Sequence, residues 1–198
     1  MLGNDVVDLT DGDALDGATH RRFDERVFAP SEREAIERSP FRERLRWALW
    51  AAKESAFKAA KKLDPRIIFS PRRFEVRVGS DEACAVIHGD SRWTVRLRQH
   101  DGALHAVALA AAAEPCKSID GFVRVAADSV DLSRAVRRLA IERLAQRLDV
   151  EADRLAVARS GRIPYVLLDG RPAPIELSLS HHGAVVGFAA LLTMEQQA

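Results

Sequence analysis

Cysteine and long apolar runs are scarce in this sequence, and an excess of either charge is missing. The two cysteines, Cys84 and Cys116, cannot build a disulfide scaffold or a four-thiolate zinc site, and their scarcity suits a reducing compartment. The longest apolar runs, Ala106 to Ala113 and Gly183 to Leu192, fall well short of the roughly 20 residues that a membrane helix needs. The N-terminus carries acids where a signal peptide would carry a basic stretch and an apolar core. Basic residues number 30 against 29 acidic, a net charge of +1, so no global pull toward nucleic acid or anionic membrane is expected. The phosphate-binding loop ending in Gly-Lys-Ser/Thr, the dinucleotide glycine fingerprint and the Gly-x-Ser-x-Gly elbow are also missing. The expectation these absences leave is a soluble intracellular protein, in the cytoplasm.

The 198 residues, 47% hydrophobic and 30% charged, suit one globular domain or two small lobes sharing a core. Charge is unevenly spread. Residues 1–19 hold five aspartates and no Lys or Arg, whereas residues 20–62 hold twelve Lys or Arg against seven acids. Two readings of that basic stretch stand open: a solvated helix laced with ion pairs, or a face for an acidic partner.

Val6-Val7 followed by Thr10 to Gly12 reads as a short strand running into a loop. Pro30 opens a short helix, with Ser31 and Glu34 in capping-box spacing, and Pro40 closes it. A longer helix is expected from about Phe41 to Leu63, buried through Leu45, Ala48, Leu49, Ala52 and Ala56. Strands follow around Phe74–Val78, Trp93–Leu97 and Leu104–Ala111. Residues 114–120 read as a hinge. A second helix is expected over Leu132–Leu148, then strands near Leu155–Val157, Tyr165–Leu168, Ile175–Leu179 and Ala184–Leu192. Each half thus gives a strand, a helix and antiparallel strands. Asp101-Gly102-Ala103-Leu104 and His182-Gly183-Ala184-Val185 match faintly at the two ends. The expected fold is α+β and pseudo-twofold, with lobes 1–116 and 117–198 and a ligand cleft between them.

Chemistry concentrates on the long helix. Trp50, Glu54 and Lys58 are spaced four apart and share one stripe, with Lys53 beside them. A carboxylate flanked by ammonium groups can hold Mg²⁺ or take a proton while lysine neutralises phosphate; it can equally be an exposed helix-stabilising pair. Asp5 on the first strand can complete an oxygen pair with Glu54, and Asp8 should then face the other way. His181, at a strand end beside Ser180, and Arg162, on a stiff turn, are candidate phosphate contacts. His181 and Arg162 are expected on the second lobe facing Lys58, with His182 turned away.

Together Gly3-Asn4-Asp5-Val6-Val7-Asp8-Leu9, Phe28-x-x-x-Glu32, Trp50-x-x-Lys53-Glu54-Ser55-x-x-Lys58, Gly161-Arg162-Ile163-Pro164 and Leu179-Ser180-His181-His182-Gly183 resemble the 4′-phosphopantetheinyl transferase superfamily. The resemblance implies transfer of phosphopantetheine from coenzyme A to a serine of an acidic apo carrier protein, with Mg²⁺. It implies Asp5 and Glu54 as metal ligands, and Glu54 and Lys58 as catalytic groups. Lys53, Lys58, Arg162, Ser180 and His181 are implied as coenzyme A contacts. The Ser-His element comes last, an order similar to the small holo-acyl-carrier-protein synthases. The length suggests a pseudodimer holding its whole site in one chain, acting as a monomer without nucleic acid or membrane partners. Val7 stands where two-lobed members often have a second acid, so water is expected at that metal position. The rival readings are a non-catalytic member that binds coenzyme A or a carrier protein, and an unrelated Mg²⁺-dependent phosphate enzyme.

Overall fold

A computed structural model describes residues 1–15, 20–80, 83–110, 117–126 and 131–193. The first half runs β1 (Leu2–Asp8), α1 (Gly12–Leu15), α2 (His20–Val27), α3 (Pro30–Arg38) and α4 (Arg42–Leu63). It continues through β2 (Glu75–Ser80), β3 (Ala83–His88), β4 (Ser91–His100) and β5 (Ala103–Ala110). The second half runs β6 (Ser118–Arg124), α5 (Leu132–Leu148), β7 (Leu155–Ser160), β8 (Ile163–Leu168), β9 (Arg171–His182) and β10 (Val185–Leu192). Two five-stranded antiparallel sheets result, ordered β1-β5-β4-β3-β2 and β6-β10-β9-β8-β7. The order is the same in both, and the chain is a two-lobed α+β repeat.

Each sheet has a helix on its outer face and meets the other sheet on its inner face. Leu2, Val107 and Leu109 of the first sheet pack on Ala189 and Leu191 of the second. Val6 and Ala103 pack on Val185 and Phe122. α4 buries a face rich in small residues, including Ala48, Ala51, Ala52, Ser55, Ala56 and Ala59. That face lets the helix lie close on β1: a Cβ on Gly3 would stand 2.1 Å from the Ser55 carbonyl oxygen. Only glycine fits there, which explains the first residue of the Gly-x-Asp motif.

The hinge read at 114–120 is overturned in its second part, because Ser118 to Asp120 belong to β6; residues 114–116, with Cys116 and the lobe boundary drawn after it, lie outside the described residues. α3 starts on a different cap from the one expected. The Ala29 N–H donates to Glu32 Oε2 at 2.7 Å, so Glu32 and not Glu34 reaches back to the helix start. The repeat is also offset by one residue from the sequence match. His100 pairs with Ala103 across one hairpin and His182 with Val185 across the other, so His100 corresponds to His182. No helix among the described residues is long and apolar enough to cross a membrane.

Candidate active site

β1 is an edge strand of its sheet, yet all seven of its residues are buried. An edge strand keeps a row of unpaired N–H and C=O groups; here β9 of the other half accepts from N–H groups on that edge, and α4 of the same half donates to carbonyls on it. The N–H groups of Leu2, Asn4 and Asp8 donate to Glu176 Oε2, Ser178 Oγ and His182 Nδ1 at 3.0, 3.0 and 3.1 Å. These acceptors alternate along one face of β9, as strand geometry requires. On the carbonyl side, Lys62 Nζ donates to Leu2 O at 2.7 Å and Lys58 Nζ to Asn4 O at 3.0 Å. Each such bond contributes about 0.5–1.5 kcal/mol net; the three to Glu176, Ser178 and His182 fix the register of β9 against β1, and the two lysine bonds hold β1 on α4.

Within that frame Asp5, Lys58 and Ser180 meet. Lys58 Nζ donates to Asp5 Oδ1 at 2.8 Å and to Ser180 Oγ at 3.1 Å, and the Ser180 hydroxyl donates to Asp5 Oδ1 at 2.8 Å. Asp5 is 7% exposed, and only its Oδ1 takes part in these bonds. Glu54 lies one helical turn before Lys58. Burial, then the Asp5 charge, push its carboxyl up to about 7, against the opposing pull of Lys58. Two carboxylates from different elements therefore repel across one ammonium. This all-oxygen donor set fits a hard divalent cation such as Mg²⁺. No cluster of three or more metal-binding side chains occurs among the described residues, so such an ion would keep much of its water shell.

The opposite side of β1 ends in a second carboxylate. Asp8 accepts from Arg124 Nη1 and Nη2 at 2.8 and 2.9 Å, from the Thr10 hydroxyl at 2.7 Å and from the Ala184 N–H at 3.0 Å. Burial alone would raise its pKa, but the Arg124, Thr10 and Ala184 bonds win and hold it far below the usual carboxylate range. A Cβ on Gly183, whose φ is +53°, would stand 2.8 Å from Asp8 Oδ2, so the turn after the two histidines needs glycine twice over. Asp8 thus fastens the two halves, a role that nothing in its own motif announces.

Several expected contacts fall elsewhere. Lys53 is 0% exposed and does not reach a ligand surface. Its ammonium donates to Glu32 Oε1 at 2.8 Å and to the Pro71 and Phe74 carbonyls at 3.2 and 2.5 Å. It therefore ties α3 and the segment before β2 to α4, and the expectation of coenzyme A contact is corrected. His181 does not face Lys58. Ser180 and His182 point toward β1, so alternation turns His181 to the α5 side. There His181 and Arg162 share a cavity of about 250 Å³ with Arg137 and Arg159. Arg46 is not an exposed member of the basic stretch either. It is 6% exposed and bidentate to Asp24 at 2.8 and 2.9 Å. The side chain of Arg21 lies outside the described residues.

A family model described as the 4′-phosphopantetheinyl transferase superfamily matches residues 1–112, more than half of the 198-residue chain. The chain belongs to this superfamily. The match spans Asp5, Glu54 and Lys58 and stops before Arg162, Ser180 and His181. No curated protein matches the sequence. Among solved structures, the holo-[acyl-carrier-protein] synthase of Thermotoga maritima is similar at a TM-score of 0.43 and 16% identity, over 86% of this chain and 83% of that one.

Proposed function

We propose that this superfamily member transfers the 4′-phosphopantetheine group of coenzyme A to a serine hydroxyl of an acidic apo carrier protein in the cytoplasm, releasing adenosine 3′,5′-bisphosphate. The observation that carries the reading is the convergence of Asp5, Glu54 and Lys58 where the two halves meet. Asp5 and Glu54 would hold Mg²⁺, which when bound neutralises charge on the diphosphate.

The chain's own groups divide the remaining work. Glu54, directly or through a water, takes the proton of the acceptor serine. Lys58, now resting on Asp5, turns to the diphosphate and balances the charge of the leaving bisphosphate. Ser180 keeps Asp5 Oδ1 turned away, which leaves Oδ2 for the ion. The 3′-phosphate is assigned to Arg137, Arg159, Arg162 and His181. β8 supports this reading, because its pairing with β9 reaches only Tyr165↔Glu176 on this side. Beyond residue 176 that edge of β9 is open, and a long ligand can pass from the Lys58 face to the His181 face. The lobes 1–116 and 117–198 act as one unit, since each supplies part of the proposed site.

The test is incubation with labelled coenzyme A, Mg²⁺ and a panel of apo carrier proteins. Label on the carrier, dependent on a divalent cation, is the expected result. Coenzyme A binding without transfer to any carrier would support the non-catalytic reading, and neither binding nor transfer would leave an unrelated phosphate enzyme.

A further inference from the structure

The segment leaving the C-terminus of α4 displays an apolar side chain that the fold does not use. Ile68 is 84% exposed, and Leu63 beside it is 55% exposed. The loop between them is nevertheless pinned. Lys61 Nζ donates to Ile67 O at 2.7 Å, and the Ile67 N–H donates to Asp64 O at 3.1 Å. The Phe69 ring stacks on Phe57 at 4.6 Å and meets Trp50 edge-on at 5.8 Å. Ile67 and Phe69 pack inward against the α4 core, so the residue between them is held outward. A fixed, solvent-facing isoleucine is the kind of anchor that interfaces use.

Its place relative to the proposed site sets the kind of partner. Lys61 follows Glu54 by two helical turns, so the two stand on one face of α4 about 10 Å apart along the axis. The loop is thus continuous with the carboxylate that would receive the acceptor's proton. Phe41, another strongly exposed apolar residue, caps the far end of α4, about 30 Å from Leu63, and cannot share the patch. The surroundings are basic. Arg66, Arg72 and Arg73 are exposed around the loop, and the one acid in the segment, Asp64, is bound by Arg66 at 2.9 and 3.1 Å. An exposed pair of that kind is worth little and yields to a competing carboxylate.

We propose that the loop from Asp64 to Phe69, anchored by Ile68 and ringed by Arg66, Arg72 and Arg73, is the surface on which the acidic carrier protein docks while its serine enters the Asp5–Glu54–Lys58 site. This rests on the transferase reading. The basic stretch from Arg21 to Arg46 is then a secondary contributor, since Arg46 is already committed to Asp24.

The test uses the full chain and the apo carrier that the wild-type protein modifies fastest. Ile68→Asp should raise the carrier KM about tenfold or more, with the coenzyme A KM and the kcat at saturating carrier unchanged. Ile68→Leu should restore the wild-type value, and Arg72→Glu should give a smaller rise that added salt mimics. Thermal melting should not move, because Ile68 supports no packing. An unchanged carrier KM in a folded Ile68→Asp protein overturns the surface and leaves the transferase reading standing. Loss of self-association in that variant, with the carrier KM intact, shows that a second copy of the chain occupies the patch and equally overturns it. No transfer by the wild type to any carrier overturns both.

Discussion

The two halves of the chain share a strand order, but their two junctions pair their carboxylates differently. The hairpin registers match Asp8 to Arg124, because these residues pair with Ala103 and Val185. The same offset matches Asp5 to Gly121, Asn4 to Asp120, and Ser178 and Ser180 to Arg96 and Arg98. Where β1 meets serines of β9, β6 therefore meets arginines of β4. Asp120 there binds Arg96 at 2.8 Å and also pairs with Arg98. One junction keeps a carboxylate in reach of a lysine with an oxygen to spare; the other neutralises its carboxylate with two guanidinium groups. His105 lies between them on β5, and burial, with Arg98, Arg96 and Lys58, pushes its pKa down to about 3, so it stays neutral. Matched junctions of a repeated scaffold can thus diverge, one leaving a carboxylate oxygen unused and the other given over to fastening. Asp8 and Arg124, matched positions of opposite charge, pair with each other and make the two halves non-interchangeable.

The sharpest way to break this comparison is to empty the two junctions in turn. Asp5→Ala should reduce transfer about a thousandfold or more, the upper range for removing one electrostatic contact, with Tm shifted by only a few degrees. Asp120→Ala should leave turnover unchanged. A large loss of turnover from Asp120→Ala, measured on the same carrier, would place chemistry at both junctions.

Next in size comes Lys53→Ala. Removing one partner of a fully buried ion pair costs about 3–5 kcal/mol, which denaturant unfolding would read. Coenzyme A affinity of the folded protein should not change. A weakened affinity with full stability would return Lys53 to the ligand.

Asp8→Asn should destabilise by about 2 kcal/mol, less than a fully buried pair because Arg124 is partly open to water. Its folded pKa is depressed, so its contribution is complete above the ordinary carboxylate range near pH 4. That contribution is lost as pH falls toward the lower folded value. The variant should therefore unfold with a shallower acid limb than the wild type. Identical acid limbs would show that Asp8 does not fasten the halves.

The smallest effect is expected from Arg42→Glu combined with Arg44→Glu, both exposed at the start of α4. The carrier KM should rise about two- to threefold, less than for Ile68→Asp, with added salt reducing the difference. A larger rise than that of Ile68→Asp would move carrier docking to the other end of α4.

Much of this was legible in the residues, for identifiable reasons. α4 and α5 were readable because helical spacing of small and apolar residues is a local signal. Asp5 and Glu54 could be linked because their residue types and the Gly-x-Asp and Lys-Glu motifs sit in recognisable local frames. What could not be read was which way a side chain faces once two halves meet. His181 and His182 differ only by strand alternation, and their assignment depends on the register of β9 against β1, which Glu176, Ser178 and His182 set from the far end of the chain. Shifting that register by one residue exchanges the faces. Lys53 misled for a similar reason. Beside Glu54 it has the spacing of a site lysine, but its partner Glu32 arrives from another helix. Helices α1 and α2 were not read at all, because α1 is a single turn and the apolar residues of α2, Phe23 and Val27, are few and set among charged ones.

The most direct measurement is a Mn²⁺ titration, with the ion standing in for Mg²⁺ and followed by paramagnetic resonance in the absence of carrier protein. One ion per chain is predicted for the wild type and for Asp120→Ala, and none for Asp5→Asn or Glu54→Gln. Two ions per chain, or one that survives both Asp5→Asn and Glu54→Gln, would contradict the assignment of the metal and its chemistry to the β1–β9 junction.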